Sequence, residues 1–168
     1  MITLRSMTTA YLQNENDFLL MKRAANRKFA SGIWAGVGGH IEKEEINQPG
    51  DACLREIYEE TGIPAEMIDD LQLRYIILRR SKDEIRLQYV YFAKTTTRQV
   101  IDTDEGELFW IPKDKLLDRE LSATTKETLR HYSQLGEKMS DVLVGTVSAE
   151  KNIPTVNWSP VQDWEGMI

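Results

Sequence analysis

The sequence predicts an α/β protein in which a mixed sheet carries helices. Three observations point there. Residues 2–12, 18–21, 71–80 and 85–95 are rich in Thr, Tyr, Phe, Leu, Val and Ile, the composition of strands. In the last of them Ile85, Leu87, Tyr89 and Tyr91 alternate with Arg86, Gln88, Val90 and Phe92, a period of two. Two other stretches, 49–61 and 123–134, carry apolar residues at helical spacing. The 168 residues, 41% apolar and 29% charged, suit one soluble domain large enough for a real core.

Taken in order, 2–12 reads as a threonine-rich strand, 13–17 as a turn of Asn, Glu and Asp, and Phe18-Leu19-Leu20-Met21 as a strand buried on both faces. The pair reads as a hairpin. Lys22 and Arg23 end that second strand. They are either solvated charges or phosphate contacts. From 31 to 39 the chain runs Ser-Gly-Ile-Trp-Ala-Gly-Val-Gly-Gly, and its four glycines allow backbone to approach a ligand closely. Trp34 is read as core first and as a stacking platform for a base second. Helix 49–61 has Pro49 in its first turn, Asn47 as a candidate cap and Gly62 just past its end. Leu54, Ile57, Tyr58 and Thr61 are predicted to face the sheet and the glutamates the opposite side.

Residues 71–80 and 85–95 are expected to pair about a turn at 81–84, with Arg79 and Arg80 solvated near its tip. An acidic loop, 101–107, precedes a short strand at 108–112 and a helical turn at 113–117. Ser122 can cap the second helix, Leu129 and Tyr132 face inward, His131 is structural, and Gly136 marks the end. Beyond it, 142–148 and 153–158 read as two more strands about a turn at 149–152. Trp158 and Trp164 are large for a loose tail, so the tail is expected to dock.

A net charge of −6 argues against binding to polymeric nucleic acid or to anionic membranes. The single cysteine, Cys53, rules out an internal disulfide or a cysteine metal cluster and is read as a small core residue. Residues 2–11 lack the apolar run of a signal peptide and no stretch is long enough for a membrane span, which makes the cytoplasm the default location.

The chemistry concentrates between Gly38 and Ile63. At about 100° per residue, Glu56, Glu59 and Glu60 fall within an arc of roughly 100° on one helix. Three like charges that close repel, with only Arg55 nearby. A hard divalent cation with oxygen ligands, Mg2+ foremost, would hold them together.

This stretch resembles the signature of the Nudix hydrolases: a glycine, five residues, a glutamate, seven residues, then Arg-Glu-apolar-x-Glu-Glu-x-Gly-apolar. Gly39 is followed after five residues by Glu45, and Arg55-Glu56-Ile57-Tyr58-Glu59-Glu60-Thr61-Gly62-Ile63 matches the second half. Nine residues, not seven, separate Glu45 from Arg55. The extra two fall within Ile46-Asn47-Gln48-Pro49-Gly50, a loop that tolerates insertion. Lys22-Arg23-Ala24-Ala25 is similar to the basic strand end of MutT-type members, where it faces the nucleotide.

The resemblance implies a Nudix fold, a mixed β-sheet sandwiched between helices (α/β/α), over residues 1–136. Residues 137–168 form an extension with an extra β-hairpin that packs on the same domain. It implies metal held by Glu56, Glu59, Glu60 and the Gly38 carbonyl, with Mg2+ as the ion and Mn2+ able to substitute. Arg55 orients the glutamates. Glu56 or Glu105, with Glu107 as second choice in the acidic loop, serves as general base. Arg23, Lys22, Gly39, His40 and Trp34 meet the substrate, His40 either touching a phosphate or simply finishing the loop.

The implied reaction is hydrolysis of a nucleoside triphosphate to the monophosphate and pyrophosphate, with 8-oxo-dGTP as leading substrate. Ala35 stands where many oxidised-purine enzymes carry a base-reading asparagine, and no tandem aspartates follow Trp110. Another nucleoside diphosphate derivative is therefore the alternative, and a non-catalytic nucleotide sensor a more distant one. A homodimer is also compatible with the tail.

Overall fold

One strand, β1 (Thr3–Asn14), organises the molecule because it divides its hydrogen bonds between distant partners. The structure, a computed structural model, describes residues 1–24, 32–150 and 153–163. Ala25, Ser31, the Lys151-Asn152 part of the last predicted turn and Trp164 lie outside the described residues. The other elements are β2 (Asp17–Arg23), β3 (Trp34–Ala35), α1 (Pro49–Thr61), β4 (Ile68–Ser81), β5 (Glu84–Thr95), β6 (Gly106–Pro112), α2 (Ala123–Leu135), β7 (Val142–Glu150) and β8 (Ile153–Val161).

The expected hairpin of β1 and β2 is present but short: only Gln13↔Phe18 and Asn14↔Asp17 pair. From Thr3 to Gln13, β1 instead runs parallel to β5. β2 turns away to pair along its whole length with β6 and, near its end, with β3. The sheet order is β3-β2-β1-β5-β4-β7-β8, with β6 on the far side of β2. It mixes parallel pairs (β1 with β5, β4 with β7) with antiparallel ones. The predicted 71–80 and 85–95 pair is the long β4–β5 hairpin.

Each face of the sheet carries a core. On one face Leu12, Leu19, Met21, Tyr91 and Ala93 pack with Cys53 and Ile57 of α1. On the other, Tyr11, Phe18, Leu20, Tyr75, Val90 and Phe92 pack with Leu129 of α2. The expected α/β/α layering follows directly, because alternate residues of buried strands feed alternate cores.

α1 spans the predicted residues. Its C-terminal turn closes on Gly62 in the left-handed conformation at φ 75°. Its N-cap is Gln48, with no side-chain hydrogen bond, in place of the predicted Asn47. Tyr58, predicted inward, is 58% exposed. The buried positions are Ala52, Cys53, Ile57, Glu60 and Thr61, so the buried stripe is rotated by about one position from the predicted one. α2 is capped by Ser122, whose hydroxyl accepts from the Thr125 amide.

The C-terminal strands extend the sheet, with β7 parallel to β4 and β8 outermost. Trp158 of β8 lies against Tyr75 and His131, with ring centroids 4.9 and 5.3 Å apart. His131 Nδ1 is 3.0 Å from the Tyr75 hydroxyl, the structural role predicted for it. Among the described residues no helix is long and apolar enough to cross a membrane.

Candidate active site

Between β2 and α1 the chain crosses the gap left by the diverging strands. Trp34 and Ala35 pair with β2. Val37 and His40 then bridge to Ala10 and Met7 of β1, and the Ile41 amide donates to the Ser6 carbonyl at 3.1 Å. This strap must pass close to β1. Gly38 sits at φ 140°, where a Cβ would collide with the Thr8 carbonyl, and a Cβ on Gly39 would collide with the Glu56 carboxylate. Glycine is required at Gly38, whereas a Cβ at Gly39 would displace the end of the Glu56 side chain; the close approach sets the Gly38 amide against α1.

Arg55 is the hub of the site. Its Nε and one terminal nitrogen grip both oxygens of Glu45 at 2.8 and 2.9 Å. The second terminal nitrogen donates to Glu56 at 2.9 Å and to Glu59 at 3.0 Å. The first also donates to the His40 carbonyl at 3.0 Å. One guanidinium thus ties the strap, the loop before α1 and two glutamates together, the bidentate use to which Arg is suited.

The long spacer is accommodated by a 3-10 turn at Lys43–Glu45 and a bend that leaves Ile46 60% exposed. Glu45 is thereby returned onto Arg55, and its carboxylate also accepts from the Glu42 amide at 3.0 Å. The Arg55 hydrogen bonds, then the Glu42 amide, hold the Glu45 pKa down at about 2. The same Glu45 contact raises that of Arg55.

Contrary to the sequence reading, the glutamates do not share the solvent side. Glu59 is exposed, Glu56 is half-buried, and Glu60 is only 9% exposed. Glu60 turns inward beneath the strap, where its carboxylate accepts from the Gly38 amide at 2.7 Å. Burial pushes its pKa up to about 7. The Gly38 hydrogen bond opposes the rise, Glu56 and Glu105 add to it, and Arg23 pulls against it. Burial also raises Glu56, against the pull of Arg55.

Strand register sorts the other candidates. Arg23 follows Leu19 and Met21 on the face that carries α1, and it acts electrostatically on Glu60. Glu105, whose carbonyl accepts from the Ala24 amide at 3.0 Å, acts on Glu60 as well. Lys22 lies on the opposite face, directly across from Trp34 on β3 and Glu107 on β6. His40, paired across from Met7, is exposed on that opposite face too. Trp34 is half-buried, 5.2 Å from Phe109 between ring centroids, with the Arg119 guanidinium 5.3 Å from its ring. Lys22, His40, Trp34 and Glu107 are therefore set apart from the carboxylates, while Arg23, Arg55, Glu56, Glu59, Glu60 and Glu105 gather around the strap at Gly38 and Gly39.

As they stand, no three acidic, His or Cys side chains among the described residues converge at metal-ligating distance. Glu56 and Glu59 are turned to Arg55, and Glu60 to the Gly38 amide. The donor set nonetheless fits a hard divalent cation: three carboxylates within one helical turn, one of them buried among other negative charges. Cys53 is fully buried and its thiol is pushed up to about 12 by burial, which makes it a core residue and not a nucleophile. Sequence reasoning missed Arg79, which is half-buried with an Nε that has no hydrogen-bond partner among the described residues. The signal was available, since alternation along β4 places Arg79 on the face of Tyr75 and Ile77.

Comparison with known proteins agrees with this geometry. Residues 3–132 match the family model for the NUDIX domain. Nucleoside triphosphatase NudI of Escherichia coli is 29% identical over 136 residues, covering 75% of this chain and 94% of that one. The mutator MutT protein of Bacillus halodurans superimposes with a TM-score of 0.67 at 21% identity, over 93% of this chain and 97% of that one. The MutT NUDIX hydrolase of Burkholderia pseudomallei does so with 0.63 at 25% identity, over 76% and 97%. With its signature assembled around Arg55 and its domain matched over most of its length, this chain belongs to the Nudix family and is a MutT-like Nudix hydrolase, a pyrophosphohydrolase.

Proposed function

We propose that this protein hydrolyses nucleoside triphosphates to the monophosphate and pyrophosphate, with Mg2+ as the cation. The carrying observation is the Arg55 hub, which presents Glu56 and Glu59 beside the buried Glu60 and the strap amides. The similarity to nucleoside triphosphatase NudI over 94% of that protein supports the substrate class.

Glu56, Glu59 and Glu60 would hold the cation. A divalent ion there offsets phosphate charge and makes water easier to deprotonate. Arg55 keeps its grip on Glu45 and the His40 carbonyl, so the loop stays anchored to α1 while the other two carboxylates serve as ligands. Arg23, on the same face, attracts the phosphate chain. Two carboxylates border the attacking water: Glu56, half-buried with a raised pKa, and Glu105, coupled to Glu60. One accepts its proton as the water oxygen bonds to phosphorus and the bond to the pyrophosphate oxygen breaks. If Glu105 is the base, E105Q loses turnover while retaining metal affinity; full turnover in E105Q assigns the role to Glu56.

Base selectivity rests on other residues. Ala35 lies across from Met21 and offers no hydrogen-bonding side chain, so oxidised guanine is not read by an asparagine at this position. 8-oxo-dGTP nevertheless leads the candidates by resemblance. The test is pyrophosphate release with Mg2+ across normal and oxidised nucleoside triphosphates, together with nucleoside diphosphate sugars. A triphosphate should turn over with pyrophosphate as product. Background release from every triphosphate would refute the proposal, and phosphomonoester products from a diphosphate sugar would replace it with the alternative.

A further inference from the structure

On the sheet face that carries α2, three arginines stand in one row across adjacent strands. Arg5 of β1 is directly opposite Arg86 of β5, and Arg86 is directly opposite Arg79 of β4. Cross-strand partners share a face. Two residues further along are Met7, Gln88 and Ile77, then Thr9, Val90 and Tyr75, which fixes the row on the α2 side. With strands about 4.8 Å apart, the row spans roughly 10 Å.

Like charges directly opposite one another destabilise a sheet, so the row needs compensation. Glu84, two residues from Arg86 on the same strand and face, supplies part of it. One of its oxygens pairs with Arg86 and the other with Arg5, the latter at 2.9 Å. Glu84 also acts electrostatically on Arg79, without a direct ion pair between them among the described residues. Arg79 has no ion pair of its own among the described residues, and its buried Nε has no hydrogen-bond partner there. Burial, with Arg86 alongside, pulls its pKa down, and Glu84 opposes the fall. Among the described residues the row joins three guanidiniums to the single carboxylate of Glu84, an excess of positive charge that suits a phosphate dianion. Planar guanidinium forks are the groups that recognise phosphate oxygens in pairs.

We propose that Arg5, Arg86 and Arg79 form a phosphate-binding site, separate from the carboxylate cluster on α1, whose ligand is free phosphate or the terminal phosphate of a nucleoside monophosphate. The row begins one residue along β1 from Ser6, whose carbonyl holds the strap at Ile41.

The test is calorimetric titration of the full chain with inorganic phosphate and, separately, with adenosine monophosphate. A chelator is present, so the result is independent of metal and of turnover. Saturable phosphate binding is expected, weakened about tenfold or more in R79Q and R86Q and unchanged in R98Q, an exposed arginine paired with Asp17 near the other end of β1. Adenosine monophosphate bound more tightly than phosphate, with the same dependence on the row, identifies the nucleotide as the ligand. Equal affinities identify free phosphate. Circular dichroism checks the fold of each variant. If R79Q fails to fold, R5Q carries the test, because the Arg5 side chain is 45% exposed and its loss spares the interior. Absence of saturable binding to the wild type overturns the proposal. So does binding that survives R5Q and R86Q, or that is lost in R98Q instead.

Discussion

Arg55 and Glu60 are opposites on the same helix. Arg55 has five polar contacts and holds its charge firmly. Glu60 has one amide and is surrounded by carboxylates. Replacing Glu59 with Gln removes a metal oxygen from an exposed position, so turnover should fall by about a hundredfold to ten-thousandfold while the thermal melting point hardly moves. Near-native turnover would remove Glu59 from the metal site. Arg55→Lys keeps a charge but loses the fork. It should destabilise the chain by about 1–3 kcal/mol, read from urea denaturation, and depress turnover as well.

Glu60 gives a pH signature. Its folded pKa, about 7, lies above the ordinary value of 4.5. The native state therefore binds the extra proton between those values, and stability falls as pH rises through that window. In chelator, wild type should lose stability from pH 5 to pH 7.5 relative to E60Q. Equal slopes for the two proteins would mean that Glu60 is not held in its neutral form. Some of this was legible in the sequence. The carboxylate cluster and its arginine can be read from spacing alone. The depth of Glu60 cannot, because a rotation of α1 by one residue exchanges Tyr58 for Glu60 at the buried edge, and apolar periodicity favoured the tyrosine.

Among the elements, α1 was the most readable because its ends carry chemistry: Pro49 at the start and Gly62 beyond the last turn. Gly62 at φ 75°, with Ile101 packed where a Cβ would be, predicts that G62A costs about 1–2 kcal/mol, measurable in the same urea titration. The strap is stricter. Gly38→Ala combines positive φ with a collision against the Thr8 carbonyl and should cost about 1–3 kcal/mol, with loss of activity as the Gly38 amide leaves Glu60. Strand pairing was less readable. Residues 2–12 and 18–21 have the composition of a hairpin, and the turn at Glu15-Asn16 exists, yet β1 binds β5 for eleven pairs and β2 for two. Alternation says which face a residue occupies but not which strand lies beside it. That limit also explains Arg79. Its place near a hairpin tip suggested solvent, whereas β7 alongside β4 and the neighbouring Arg86 enclose it.

For the molecule as a whole, the C-terminal strands complete the larger part of the sheet. β7 covers the edge of β4, and Trp158 seals the Tyr75–His131 pair. Ending the chain at residue 136 would expose that edge and that aromatic cluster. The truncated protein should aggregate or melt at a clearly lower temperature, seen by light scattering and calorimetry. A soluble, fully active truncation would make the extension dispensable and leave residues 1–136 as a self-sufficient unit.

The parallel pairing of β1 with β5 also bears on how the protein comes into being. Thr3 meets Glu84 and Gln13 meets Lys94, so a strand at the very beginning must wait for one made some eighty residues later. Closing so large a loop is entropically slow. The strap leans on β1, so it gains a firm support only when β5 arrives. On the ribosome, the carboxylates of α1 would emerge early, and their assembly into a competent site would come late. Nascent chains shorter than about Thr95 should have the signature but no activity.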